Sequence, residues 1–455
     1  MFTPERYSER RLRLQRQLGG GLLLFLGNDE SPMNYADNSY PFRQDSSFLY
    51  YFGIDQPGYA ALLDADTGET TVFADDLSLD DIVWTGLQPT VREYAERAGL
   101  RATAPAGQLG AQLGSAVAAG RAIHFLPPYR PEHRLKRDAL LGPCAEASIP
   151  LIRAVAEMRI RKEPEEIAEI ERAVNVSVEM HLAALRMVRP GLREAEIAAR
   201  VTEVALAAGG GLSFPVIATV RGGVLHNHHY GNRLEAGQLF LLDAGAETAS
   251  HYAGDLSSTC PVDRAFSPRQ QDLYNLVLRA HLAAVAALEP GRAFRDIHLL
   301  ACRTLASGLK DLGLMKGDVD EAVARGAHAL FFPCGLGHLM GLDVHDMENL
   351  GEVWVGYEGQ PKSTQFGLKS LRLARALQPG YVLTVEPGLY CMPELQAQWR
   401  AERRFLEHLD YDAIAAFGDF GGLRIEENFL VTADGARLLG QPKPRSGAEL
   451  EAARA

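Results

Sequence analysis

The segment Phe332-Pro-Cys-Gly-Leu-Gly-His338-Leu-Met-Gly-Leu-Asp-Val-His345-Asp346 sets two histidines among the glycines Gly335, Gly337 and Gly341. A lone histidine is more often a satisfied structural residue than a ligand. Here the glycines allow close approach of backbone and ligand, and four other segments give His338 company. In Gln238-Leu-Phe-Leu-Leu-Asp243 an apolar run ends in an acid, and in Ala253-Gly-Asp255-Leu-Ser an acid opens a strand. Gly380-Tyr-Val-Leu-Thr-Val-Glu386-Pro-Gly is a buried-looking strand that ends in Glu386. In Gly422-Leu-Arg-Ile-Glu426-Glu-Asn-Phe, Arg424 and Glu426 share one face while Leu423 and Ile425 share the other. Singly, each acid also reads as a cap at the surface end of a strand. Ionised carboxylates inside strands are costly unless neutralised, and four that converge would repel one another and rise in pKa. Two divalent cations would cancel their charge, and His338 would complete a site of four carboxylates and one imidazole.

The 455-residue chain is long for one core, so two domains are expected. Hydrophobic residues at 47% and charged residues at 23% are ordinary for a globular protein and exclude disordered and fibrous classes. A formal net charge of -12 disfavours nucleic acid and anionic membranes as partners. Cys144, Cys260, Cys302, Cys334 and Cys391 are scattered and form no paired motif, which reads as free thiols in a reducing compartment. No apolar run is long enough for a signal peptide core or a bilayer span, so cytoplasmic residence is the default expectation.

The first 155 residues read as a small α/β domain, with strands at Leu22–Leu26, Tyr59–Leu63 and Thr70–Ala74. Turns are expected at Gly53-Ile54 and Gly68-Glu69, and a loose helix between Pro105 and Arg121. Residues 156–440 form the second expected domain and 441–455 a polar tail. A long helix opens at Pro164, where Glu165 and Glu166 complement the helix dipole, and stops at Pro190-Gly191. His181-Leu-Ala-Ala, Pro190-Gly191 and Ile197 recur as His281-Leu-Ala-Ala, Pro290-Gly291 and Ile297, a constant offset of 100 residues. This pattern predicts two similar halves, each a helix pair feeding strands; two unrelated amphipathic helices are the simpler alternative.

The order Asp243, Asp255, His338, Glu386, Glu426, with its flanking Leu-Leu-Asp-Ala-Gly, Thr-Val-Glu-Pro-Gly-Leu-Tyr and Arg-Ile-Glu-Glu-Asn, resembles the "pita-bread" metallopeptidases. That family includes methionine aminopeptidase, aminopeptidase P and prolidase. Tyr40-Pro-Phe-Arg-Gln-Asp-Ser-Ser-Phe extends the resemblance to the N-terminal domain of its proline-specific branch. The resemblance implies an α/β (α+β) chain with a pseudo-two-fold catalytic domain and a homodimer. It implies two metal ions on those five residues, holding a bridging hydroxide as nucleophile. Oxygen-rich ligands with one imidazole favour manganese, with zinc or cobalt as alternatives. Glu386 then shuttles a proton, and His226 and His345 face the substrate, His226 stabilising the tetrahedral intermediate. Two departures from the family pattern stand out. Asp243 and Asp255 are one residue farther apart than is usual, which lengthens the hairpin Glu247 to Gly254, and Ser257 stands where the family often has Thr.

Within the proline-specific branch, prolidase cuts Xaa-Pro dipeptides and aminopeptidase P trims longer peptides. A dipeptidase needs a cation for the free carboxylate, and an arginine fork suits that role. Gly367-Leu-Lys-Ser-Leu-Arg372-Leu-Ala-Arg resembles the prolidase segment, so Arg372 is the expected carboxylate grip, and the insertion Met392 to Phe420 is also prolidase-like. Lys369, Arg372 and Arg375 otherwise read as a solvated basic face. Arg424 is expected to orient Glu426 or a neighbour, and Asp45 is a candidate for the substrate ammonium in a partner subunit. The expected activity is therefore Xaa-Pro dipeptide hydrolysis, with aminopeptidase P activity and a non-peptidase or non-catalytic relative as alternatives.

Overall fold

The computed structural model describes residues 2–454. It divides into two compact units. One ends at Arg159 and takes back Met347–Val355; the other comprises Ile160–Asp346 and the chain from Gly356 onward. The expected boundary at 155 would cut the helix Ile149–Arg159, whose Leu151, Val155 and Met158 are buried, so the division falls at the helix end instead.

The first unit is built on a five-stranded sheet of β1 (Leu22–Leu26), β2 (Ala60–Asp64), β3 (Thr70–Phe73), β4 (Ala102–Ala104) and β5 (Ile123–Phe125), in the order β4-β3-β2-β1-β5. Leu24, Leu62, Phe73 and Phe125 join Leu109 and Leu113 of the helix Leu109–Ala118 in one core. Gly53 makes no inter-strand turn. It caps the helix Ser46–Phe52 in the left-handed conformation, φ 61°. Asp45 caps the other end of that helix, accepting the Phe48 N–H at 2.9 Å, which gives it a local structural task.

The second unit carries β6 (Gly211–Leu212), β7 (Ile217–Thr219), β8 (Leu239–Ala244), β9 (Ala246–Glu247), β10 (Leu256–Pro261), β11 (Val382–Val385), β12 (Gly388–Tyr390), β13 (Gly422–Arg424), β14 (Glu427–Thr432) and β15 (Gly435–Leu438). Two antiparallel three-stranded sheets, β10-β8-β7 and β11-β14-β15, are joined where the Glu426 N–H donates to Ser257 O at 3.1 Å. The 100-residue repeat is structural. Helix Pro164–Met187 leads into Glu194–Ala207 as Pro268–Ala286 leads into Phe294–Asp311. Gly191 and Gly291 both turn at positive φ, 94° and 87°. Their N–H groups donate to Leu234 O and Leu377 O, each at 2.8 Å. Ile197 and Ile297 are fully buried. No helix among the described residues is long and apolar enough to cross a membrane.

Residues after 440, read from sequence as a polar tail, are packed. The helix Gly447–Ala453 buries Leu450 in the core of the second unit. Lys443 Nζ donates to Ser257 O at 2.9 Å, and the Arg454 guanidinium bonds the carbonyls of Pro261 and Val188, each at 2.7 Å. Composition alone hides this, because the charged heads end on backbone carbonyls while their stems cover apolar surface. Leu450→Ala is therefore expected to cost about 2 kcal/mol or more of stability, read as a lower urea midpoint; an unchanged midpoint would contradict a packed terminus.

Candidate active site

Asp243 lies in β8, and Asp255 precedes the neighbouring strand β10. Glu386 follows β11, and Glu426 precedes its partner β14. Each half thus delivers a pair of carboxylates from two antiparallel strands, and the Ser257–Glu426 bridge brings the pairs together. His338 comes from the glycine-rich segment, which runs beside β11. Thr384 N–H donates to His338 O at 2.9 Å, and the His338 N–H donates to Thr384 Oγ1 at 3.1 Å. Gly337 makes this approach feasible, since a Cβ there would sit 2.1 Å from Thr384 O. Gly341 is likewise required, because its Cβ would strike the Asp346 carboxylate, which the buried Lys162 holds at 2.8 Å.

His338 Nδ1 lies 3.1 Å from Leu339 O, which turns Nε2 toward the acids. That Nε2 is 3.2 Å from Asp255 Oδ2 and 3.6 Å from Glu386 Oε1. Ligand atoms of Asp255, His338 and Glu426 all lie within 4.8 Å of one another. Arg424 organises two of the acids. Its Nη2 donates to Asp243 Oδ2, its Nε to Ser257 Oγ at 2.7 Å, and its Nη1 to Tyr390 OH at 3.0 Å. Ser257 Oγ in turn donates to Glu426 Oε2 at 2.8 Å. Arg424 therefore holds Asp243 directly and Glu426 through Ser257, the hydroxyl that departs from the family's usual threonine.

The electrostatics match this crowding. Burial, with the Asp243 charge adding to it, pushes Asp255 well above the usual carboxylate range. Burial and then Asp255 do the same to Glu426. Burial lifts Glu386 to about 7, against the opposing pull of His338 and Arg424. Asp243 Oδ1 is buried with no hydrogen-bond partner among the described residues. The single charge of Arg424, the guanidinium bonded into the cluster, does not balance four acids. An orphaned carboxylate oxygen, elevated carboxyl pKa values and an oriented imidazole together form a donor set that suits hard or borderline divalent cations.

The acids and His338 open onto a cavity also lined by His226, His345, Arg372 and Arg424, so the expected metal ligands meet the expected substrate-facing residues there. The His338 and His345 rings stand edge to face, 4.3 Å between centroids. Partial burial, then Arg424, lowers the His226 pKa below its ordinary value and favours the neutral ring. Phe214, Pro215, Ile217, Leu225 and Val344 add apolar wall. His228 lines the cavity too; a His226-Asn-His228-His229 loop offers no periodicity that could have singled it out.

The model of Metallopeptidase family M24 matches residues 168–433 and that of the aminopeptidase P N-terminal domain matches residues 7–124. The chain is 30% identical to the Xaa-Pro dipeptidase of Homo sapiens, over 99% of this chain and 92% of that protein. It is 29% identical to the Xaa-Pro aminopeptidase of Escherichia coli, over 99% and 98%. Among solved structures it resembles the E. coli aminopeptidase P with the inhibitor Pro-Leu, with a TM-score of 0.82, 28% identity and coverage of 100% and 98%. The zinc-substituted form of that enzyme with product gives the same values. With its catalytic unit matched almost end to end and an aminopeptidase P-type domain ahead of it, the chain belongs to metallopeptidase family M24.

Proposed function

We propose that the protein is a metal-dependent Xaa-Pro dipeptidase. The observation that carries the reading is Arg372 in the wall of the same cavity as the acidic cluster. A guanidinium there suits the free carboxylate of a dipeptide, which lies one residue from the scissile bond. The apolar wall of Phe214, Pro215, Ile217, Leu225 and Val344 suits a pyrrolidine ring. Asp243, Asp255, His338, Glu386 and Glu426 would hold two divalent ions, manganese first, with zinc or cobalt as alternatives. When bound, such ions supply Lewis acidity and lower the pKa of water. Glu386 would take up and return a proton during the reaction. Neutral His226 and its neighbour His345 each offer an N–H to the carbonyl oxygen as it gains charge. Arg424 holds Asp243 in place.

Aminopeptidase P activity is the second reading, favoured by full-length likeness to the E. coli aminopeptidase P structures. A cytoplasmic homodimer belongs to the main reading. It is supported by five unpaired cysteines and by the exposed apolar side chains of Leu79, Val83, Trp84 and Leu87.

With manganese present, Ala-Pro is expected to be hydrolysed and Ala-Pro-Ala spared. Cleavage of the tripeptide alone would replace the dipeptidase reading with the aminopeptidase one. Arg372→Ala is expected to lower kcat/KM for Ala-Pro by about 10- to 150-fold, the worth of a hydrogen bond to a charged group. Metal content should stay intact, and turnover of the Ala-Pro amide, which lacks the carboxylate, should change far less. Equal losses on both substrates would remove Arg372 from carboxylate binding.

Protonation of the site gives a further test. Asp255, Glu386 and Glu426 have folded-state pKa values above their unfolded ones. Their stabilising contribution in metal-free protein is complete at low pH and is lost as pH rises through the folded values, near 7 for Glu386. Chelator-treated protein should therefore melt lower at pH 8 than at pH 6, and added manganese should raise Tm more at pH 8. A larger gain at pH 6 would contradict metal and protons competing for these carboxylates.

A further inference from the structure

The helix Phe294–Asp311 places His298 and Cys302 one turn apart on one face, and His328 reaches the same point from the short helix Ala327–Leu330. All three are buried, at 0%, 0% and 2% exposure. Cys302 Sγ lies 3.5 Å from His298 Nε2, and one ligand atom from each of the three lies within 4.8 Å of the others. Neither nitrogen of His328 has a hydrogen-bond partner among the described residues, nor does His298 Nδ1. The surroundings are apolar, with Phe332 packed 5.8 Å from the His298 ring and Leu305, Leu330 and Phe331 in the same core. None of the three lines the cavity that holds the acidic cluster.

Unpaired imidazole nitrogens in an apolar core are costly unless something satisfies them. Two imidazoles and a thiol at this spacing suit a thiophilic metal ion, which takes a lone pair from each. Metal–nitrogen and metal–sulfur bonds of about 2.0–2.3 Å set the ligands of one ion roughly 3.5–4 Å apart. The observed separations approach this. Charge selects the ion. A divalent cation with one thiolate would leave an unbalanced positive charge in the core, which burial disfavours. A monovalent cation with one thiolate and two neutral imidazoles is neutral. Soft ligands and a closed three-coordinate pocket also favour copper(I) over zinc, which prefers four ligands.

We propose that His298, Cys302 and His328 form a binding site for copper(I), separate from the acidic cluster. Cys302 gives its proton to solvent as the ion enters, and one nitrogen of each imidazole donates its lone pair. The carboxylates of the other site select against so soft an ion, so copper(I) discriminates between the two.

The test uses full-length protein, held anaerobic with ascorbate and loaded with copper(I) from a competing chelator. Copper per chain is counted after desalting. Wild type, Cys144→Ser and Cys334→Ser are each expected to retain one copper per chain. Cys302→Ser and His328→Gln should bind more than about tenfold more weakly while still hydrolysing peptide. X-ray absorption on the wild type should show one sulfur and two nitrogen neighbours, a readout that needs no variant to fold. Absence of retained copper in the wild type, retention that survives Cys302→Ser, or zinc held there as firmly as copper would each overturn the proposal.

Discussion

Four carboxylates driven into one water-poor cleft would push each other apart, and much of the catalytic unit can be understood as the framework that keeps them there. Asp243 and Asp255 are fixed by the β8–β10 pairing, Glu386 and Glu426 by β11–β14, and a single backbone bridge between Ser257 and Glu426 closes the gap. Burial first, with repulsion between the acids adding to it, raises the proton affinity of Asp255, Glu386 and Glu426. Arg424 relieves part of it through Asp243 and Ser257. Such a cleft is poised to trade protons for cations, in keeping with membership of a metallopeptidase family.

The framework explains the glycines of the opening segment. The chain carrying His338 must lie against β11 at backbone distance, so Gly337 stands where any side chain would meet Thr384 O. Four residues on, Gly341 leaves room for the Lys162–Asp346 pair, buried to about 1% exposure on both sides. These contacts fix the path from His338 to His345, and with it the spacing between the acids and the histidine that faces the cavity.

Much of the site was legible in the sequence because it violates local rules. Asp243 ends a run of apolar residues that has no other reason to stop at an acid, and the repeat shows itself because each half needs the same helix, glycine turn and buried isoleucine. What sequence could not supply is the partner of each charge. Arg424 shares a strand face with Glu426 but reaches Asp243 first, because the neighbouring strand sets Ser257 between the guanidinium and the glutamate. Lys443 and Arg454 look like solvated tail residues until their heads are seen on backbone carbonyls. Met347–Val355 gave no hint of belonging with the first unit, since membership there depends on long-range contact rather than on pattern. Gly53 reads as a turn between strands because a left-handed helix cap and a tight turn ask the same thing of a glycine.

The two halves differ in chemistry although they share a plan: aspartates on one, glutamates on the other, and a His181 bonded to Ser258 and Ala244 O where its counterpart His281 has no such partner. A chain of half this length, with one helix pair and two acid-tipped strands, would hold only two carboxylates. Two such chains related by a two-fold axis would bring four to that axis. One polypeptide carrying both halves is not bound by that symmetry, so one half can carry the short acids and the other the longer ones. A cavity off the axis could then become asymmetric, as a peptide with distinct ends requires.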